Sequence, residues 1–401
     1  MHALVILQHY LAPLLGHVHR RRLATLLEAV ASCVSGPALS LTDIGRRFAG
    51  PARLRHKIKR SDRLLGNRRL QGEARSIYAA LCRVTLARIQ EPLILIDWSD
   101  LKADQSLHLL RASLPVGGRS LTLYEEVHPQ RRLNNRRVQE RFLQRLAALL
   151  PAHTAPVIVA DAGFKVPFYR EVERLGWRWV GRVRGRDYVR LSTRWVSCKA
   201  LFRRATPTAT TLGVGEWVRS NPLRALFVLV RQPPKGRRAK TTHGRRARSK
   251  KSEQSARAAR EPWLLVASVR FADLAPKQLM RRYRQRMQIE ESFRDLKSQH
   301  FGESLERSRS EGMGRFPVLV LIATLAAFLL WLLGTAAEHA ALHRWLHPGN
   351  GKRRVYSRLF LARLLLVLES CRGHLDDLTL ALGPLDQWVA NDHDALLVDR
   401  I

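Results

Sequence analysis

Two short apolar runs that each close on an aspartate constrain this chain more than any other feature. PLILID at residues 92–97 ends on Asp97, and APVIVAD at 155–161 ends on Asp161. Both are consistent with central strands of a sheet. Between them, LHLLRASLPV, Gly117-Gly118 and RSLTLYEEV read as a hairpin. NNRRVQERFLQRLAALL follows as a capped helix with Val138, Phe142, Leu146 and Leu149 inward. After the second run, VPFYREVERLG reads as a helix and WRWVGRVRG as another strand. The resulting order is β-β-β-α-β-α-β.

That is the order of a ribonuclease-H-like core, an α/β fold with a mixed sheet and helices on both faces. In such a sheet the two strands are neighbours and bring Asp97 and Asp161 to one edge, with Asp100 past the strand's end. Residues 89–185 form the first part of this core. From 186 to 270, DYVRLST, TLGVGEWV, LRALFVLVRQ and PWLLVASV alternate like strands and predict a β-rich insertion. Within it, residues 231–260 are basic and unpatterned and read as a loop. Residues 271–334 complete the core, and 335–401 form a C-terminal helical region.

Residues 1–88 read as helices. Ser40 and Asp43 have capping-box spacing in SLTDIGRRFA, with Ile44 and Phe48 as an apolar pair. ARLRHKIKRSDRLLGNRRL follows, anchored by Ile58, Leu64 and Leu65 and dense in cations. A short helix before a basic one resembles a helix-turn-helix, so Lys57, Lys59 and Arg60 are candidate DNA contacts.

The chain carries 70 Lys and Arg against 33 Asp and Glu, a net charge of +37 at pH 7. A compact protein tolerates that self-repulsion best beside a polyanion, nucleic acid first and anionic membrane second. Four scattered cysteines form no CxxC pair, which points away from zinc or disulfides and towards a reducing cytoplasm. The N-terminal apolar run has no basic residue before it and is a poor signal peptide. FPVLVLIATLAAFLLWLLG at 316–334 approaches the length of a membrane span. Pro317 and Gly334 bracket it as start and stop, and the expectation is a buried helix with no membrane.

The remaining signal is YRQRMQIEESFRDLK at 283–297. As one helix, Tyr283, Arg286, Glu290 and Lys297 share an arc of about 60°, beside Ile289, Phe293 and Leu296. Taken alone, the stripe also fits a solvated face with an i,i+4 ion pair between Arg286 and Glu290. Glu291 points away from it. With Asp97 and Asp161, Glu290 makes three carboxylates, a hard oxygen set that suits Mg²⁺ or Mn²⁺. Two such ions can serve an in-line phosphoryl displacement. Trp98, beside Asp97, either stacks on a base or fills the sheet edge.

The spacing Tyr283-x2-Arg286-x3-Glu290-x6-Lys297 resembles the signature of the insertion-sequence-four family of bacterial DDE transposases. LTDIGRRFAGPARLRHKIKRSDRLLGN, LIDWSDL, LRASLPVGGRSLTLYEEV and DAGFKVPFYREVERLGWRWVGRVRG are similar to that family in the same order. The resemblance thins out around 231–260 and after about 335. It implies that Asp97, Asp161 and Glu290 are the catalytic, metal-binding triad for two Mg²⁺ ions, with Mn²⁺ able to substitute. Tyr283, Arg286 and Lys297 would hold DNA phosphates. It further implies that the N-terminal helices bind terminal inverted repeats, that a homodimer bridges two DNA ends, and that excision is cut-and-paste through a DNA hairpin. A bacterial, nucleoid-associated location follows from the same resemblance. A non-catalytic DNA-binding protein derived from a transposase is the alternative.

Overall fold

A computed structural model describes residues 2–36, 38–185, 187–233, 253, 260–298, 305, 308, 310, 313–347, 349, 355–368, 371 and 384–398. Most of the basic loop expected at 231–260 lies outside these residues. The chain divides into two compact units, one of residues 1–154 with 287–401 and one of 155–286.

In the first unit the amino-terminal third is helical, as its patterning predicts: α1 (His2–Leu11), α2 (Arg20–Val34), α3 (Leu41–Arg46), α4 (Leu54–Leu65) and α5 (Arg68–Thr85). Ser40 caps α3, its Oγ accepting the Asp43 N–H at 3.2 Å. Helices α3 and α4 approach closely at Gly45, where a Cβ would stand 2.6 Å from the Ile58 Cα. Three antiparallel strands follow, β1 (Leu93–Asp100), β2 (Leu107–Pro115) and β3 (Ser120–Pro129). The β2–β3 turn uses Gly117 and Gly118 at φ 74° and 103°, a region that favours glycine. Helix α6 (Arg136–Leu149) begins at Asn135, whose side chain accepts the Val138 N–H.

Strand β1 does not stop where its apolar run stops. Trp98, Ser99 and Asp100 continue the ladder opposite Leu110, Leu109 and His108. Asp100 is therefore the last residue of the strand, not a residue beyond it, because ladder bonds extend past the point where burial falls.

The second unit holds a mixed sheet. Strand β4 (Val157–Ala160) leads into α7 (Val166–Arg174), and β5 (Arg178–Val183) returns parallel to β4. The insertion adds β6 (Tyr188–Arg190), β7 (Trp195–Ser197), α8 (Cys198–Phe202), β8 (Thr210–Trp217), β9 (Leu223–Val230) and β10 (Trp263–Ala267). Among these, β7 and α8 are too short to show a period in the sequence. The order within this unit is β4-β5-β10-β9-β8-β6-β7, with every pairing after β4–β5 antiparallel. Together these elements are a mixed α/β fold of the ribonuclease-H-like kind.

The segment 283–297, expected as one helix, is interrupted. Helix α9 (Pro276–Arg284) ends in i→i+3 bonds, Gln285 N–H to Arg282 O and Arg286 N–H to Tyr283 O. Helix α10 starts at Met287 and runs to Lys297. The single continuous stripe of Tyr283, Arg286, Glu290 and Lys297 is accordingly a pair of shorter faces.

Helix α11 (Phe316–His339) is apolar and buried along nearly its whole length, packed within the first unit on α2, α4, α5 and β3. It is long and apolar enough to cross a membrane, yet most of that stretch is covered by its own chain. Gly334 is not its stop. A Cβ there would lie 2.1 Å from the Arg358 carbonyl oxygen, so the glycine admits the start of another helix, at Arg358. The short α12 (Leu342–Trp345) precedes α13 (Arg358–Val367), and α14 (Leu385–Leu397) follows.

Candidate functional site

The two units carry different parts of the carboxylate set. Asp97 and Glu290 belong to the first, and Asp161 to the second.

In the first unit, Asp97 stands opposite Arg111 in the β1–β2 ladder, and its Oδ1 accepts the Trp98 N–H at 2.8 Å. Trp98 packs edge-on against His128 with ring centroids 5.6 Å apart. Arg111 is buried beneath this edge. It donates to Glu125 Oε2 at 2.8 Å, and its guanidinium lies 5.1 Å from the Phe293 ring of α10. Glu125 also accepts from Tyr78 of α5 at 3.0 Å and from Thr324 of α11 at 2.6 Å. One buried carboxylate thereby ties β2 and β3 to two helices.

Helix α10 is fixed on β1, β2 and β3 by two adjoining faces. Ile289, Phe293 and Leu296 are buried. Beside them runs a polar seam at i, i+4 and i+7. Gln288 Oε1 accepts the N–H groups of Val116 and Gly118 at 3.1 and 3.0 Å. Ser292 Oγ accepts the Ser120 N–H at 2.9 Å, and Asp295 pairs with Arg119. Glu290 and Lys297, both half-buried, lie about 160–200° around the helix from Gln288. The seam that grips the β2–β3 turn thus sets the rotation of α10, and with it the direction of Glu290.

In the second unit, Asp161 is the first residue past β4. Its Oδ1 accepts the Gly163 N–H at 2.7 Å, and its carbonyl accepts the Phe164 N–H at 3.3 Å. This is an Asx turn that leads into α7. A Cβ on Gly163 would stand 2.8 Å from Oδ1, so the turn needs the glycine.

Two buried phenols share this neighbourhood. Tyr169 of α7 lies between Trp179 and Trp217, at ring-centroid distances of 4.4 and 5.5 Å. Its hydroxyl lies where a Cβ on Gly181 would be, only 2.3 Å from that position. Burial, then the charge of Asp161, pushes its pKa well up. Tyr283 of α9 is 4% exposed and packs edge-on against Trp263 at 5.2 Å. Burial raises its pKa, while Arg286 and Arg182 oppose the rise, Arg286 also through a hydrogen bond. Arg182 donates to the carbonyls of Glu261 and Pro262 at 3.3 and 3.4 Å, and burial lowers its pKa. Asp161, Tyr169, Tyr283, Arg182 and Arg286 are therefore one electrostatic group.

Of the N-terminal candidates, Lys59 is exposed and Lys57 half-buried. Arg60 pairs with Glu28, donates to Thr25 Oγ1 at 3.3 Å and lies 4.8 Å over the Phe48 ring. Lys57 and Arg60 line a groove of about 650 Å³ with His19, Arg21, Arg63 and Arg69.

Among the described residues no three His, Cys, Asp or Glu side chains are gathered as a metal cluster. The chemistry of Asp97, Asp161 and Glu290 nonetheless fits Mg²⁺ or Mn²⁺, because all three offer hard oxygen donors from half-buried positions. The four cysteines are buried and form no disulfide among the described residues, and burial pushes Cys82 up to about 12 and Cys198 up to about 11.

Sequence reasoning missed the positioning residues Gln288, Ser292, Asp295, Gly163, Tyr169 and Arg182. All lie inside or beside the blocks that carry the family resemblance, which is the signal that could have found them. Residues 88–329 match the family model described as a transposase DDE domain. Compared with curated proteins, the chain has no match.

Proposed function

The chain belongs to the DDE transposase family, and from that premise we propose that it excises and inserts its own element by cut-and-paste transposition. Family membership makes it a DNA-recombining enzyme. The finer reading rests on the ordered blocks, which resemble the insertion-sequence-four family and within it the transposase of transposon ten. The observation that carries it is Glu290, on a helix whose rotation is set by the seam to the β2–β3 turn and which packs on the strand of Asp97.

Asp97, Asp161 and Glu290 are the residues that would hold two Mg²⁺ ions, or Mn²⁺ in their place. When bound, such ions supply Lewis-acid activation of a water or 3′-hydroxyl and neutralise the charge of phosphoryl transfer. Tyr283, Arg286 and Lys297 hold backbone phosphates, and the Tyr283 hydroxyl, hydrogen-bonded with Arg286, also orients that guanidinium. Lys57, Lys59 and Arg60 belong to an N-terminal segment (1–88) that binds terminal inverted repeats. The working form is a homodimer bridging two ends, in the nucleoid of a bacterial cytoplasm, and second-strand cleavage proceeds through a DNA hairpin.

The test is a labelled DNA end carrying the element's terminal repeat, incubated with protein and Mg²⁺ or with EDTA. Metal-dependent nicking at the repeat's tip, followed by a hairpin band on a denaturing gel, is the expected result. Binding without cutting on a verified end would replace the proposal with a non-catalytic DNA-binding role.

A further inference from the structure

A second cationic surface in the first unit uses none of the side chains named above as DNA contacts, although one of its rims, α5, lies within the 1–88 segment. It is a groove of about 480 Å³ between α5 (Arg68–Thr85) and α6 (Arg136–Leu149). Its floor consists of small residues, Gly72, Ser76 and Ala79 from α5 and Ala148 from α6. Arg75, Arg141 and Arg145 line it, and no acidic residue does. Helical stepping extends both rims. Arg68, Arg75 and Arg83 fall within an arc of about 80° on α5, as do Arg137, Arg141 and Arg145 on α6. Except for Arg145, which Glu126 holds at 2.9 Å, these guanidiniums make no ion pair among the described residues.

The nearby acids are already engaged. Glu73 pairs with Arg22, Glu140 with Arg136, and Glu126 with Arg145. Arg75 and Arg141 are exposed across a floor too shallow in side chains to fill the space between them. On α5 the rim arginines recur every seven or eight residues, about 11–12 Å apart. That leaves two arginine rows flanking an open trough, uncompensated among the described residues except at Arg145, on a chain whose net charge is already +37. A second copy of so basic a chain is a poor electrostatic match for it, whereas a nucleic-acid backbone is a good one.

We propose that the α5–α6 groove is a DNA-backbone track, separate from the N-terminal helix pair, in which Arg75 and Arg141 neutralise phosphates of one duplex without reading its sequence. The proposal rests on the DNA-acting reading given above and adds to it the surface that carries flanking or target duplex. Backbone contacts of this kind contribute to affinity through counterion release, so they are visible in salt dependence even where cleavage is unchanged.

The experiment is a salt titration of full-length protein on a duplex that lacks the terminal repeat, followed by fluorescence anisotropy. Wild type is compared with the double variant Arg75→Gln/Arg141→Gln and with Arg136→Gln, whose guanidinium Glu140 already holds. Each lost phosphate contact lowers the slope of log K against log salt by about one, so the double variant should lose about two. Arg136→Gln should leave the slope unchanged. A double variant with wild-type slope and affinity would overturn the track while leaving the DNA-acting reading intact. A double variant that keeps the slope but changes the oligomeric state without DNA would overturn it in favour of a protein partner. Wild-type protein that binds no duplex at any salt would instead sink the broader reading.

Discussion

The two units hold their carboxylates by different means. In the first, Glu290 is aimed by bonds that reach far along the chain: Gln288 to the Val116 and Gly118 amides, Ser292 to Ser120, and Asp295 to Arg119. In the second, Asp161 is aimed by its own next turn, through the Gly163 amide, and backed by aromatic packing around Tyr169. A side chain set by long-range bonds fails when the distant partner is lost. One set by a local turn fails when two or three adjacent residues change.

The largest expected effect strikes the long-range scheme at its root. Arg111→Ala leaves Glu125 charged and buried without its guanidinium, and breaking such a pair costs about 3–5 kcal/mol. Denaturant unfolding should show the first unit destabilised by that order, and a loss under 1 kcal/mol would break the contrast. Next comes Gln288→Ala, which removes the side-chain acceptor of two amides at the hairpin turn; Val116 N–H keeps the Arg119 carbonyl and Gly118 is exposed, so each lost bond costs about 0.5–1.5 kcal/mol. Cleavage should fall further than stability alone explains, because Glu290 loses its orientation. Equal cleavage at matched folded fraction would remove the positioning role.

In the second unit, Gly181→Ala places a methyl on the Tyr169 hydroxyl and should cost about 1–3 kcal/mol by overpacking. Hydrogen exchange should report loosening around β5 and α7. Unchanged exchange there would show that the aromatic packing yields without cost. The smallest effect concerns pH. Burial pushes the Glu126 carboxyl up, but hydrogen bonds from His128, Tyr124 and Arg145 outweigh it and hold its pKa below the usual glutamate value. A lowered folded pKa adds stability that is present above the unfolded value and lost as pH falls through the folded one. Glu126→Gln should therefore flatten the acid limb of a stability–pH curve. An unaltered limb would assign that limb to other carboxylates.

The same contrast explains what could be read from sequence. The strands ending near Asp97 and Asp161, the hairpin, the N-terminal helices and the insertion strands were all legible, because burial imprints a period on contiguous residues. What escaped depends on distant partners. Gly334 looks like a helix stop, yet it answers to the Arg358 carbonyl. Strand β1 runs past its apolar run because β2 offers ladder partners as far as His108. The interruption at Gln285–Arg286 carries no glycine or proline to announce it. The candidate carboxylates stand out in the sequence as a motif, while Gln288 and Tyr169 do not, since hydrogen bonds to a remote turn and packing against a remote glycine leave no local pattern.

The proposal most in need of a test is that Asp97, Asp161 and Glu290 are the metal-binding residues of the transposase. Its most direct test is single-turnover cleavage by Asp97→Asn, Asp161→Asn, Glu290→Gln and the triple variant, beside end binding and thermal stability. Residues that act as a unit are non-additive, so each single variant should lose as much cleavage as the triple while binding DNA ends as wild type does. Losses that add from one variant to the next, or a single variant that still cuts at the wild-type rate, would contradict it.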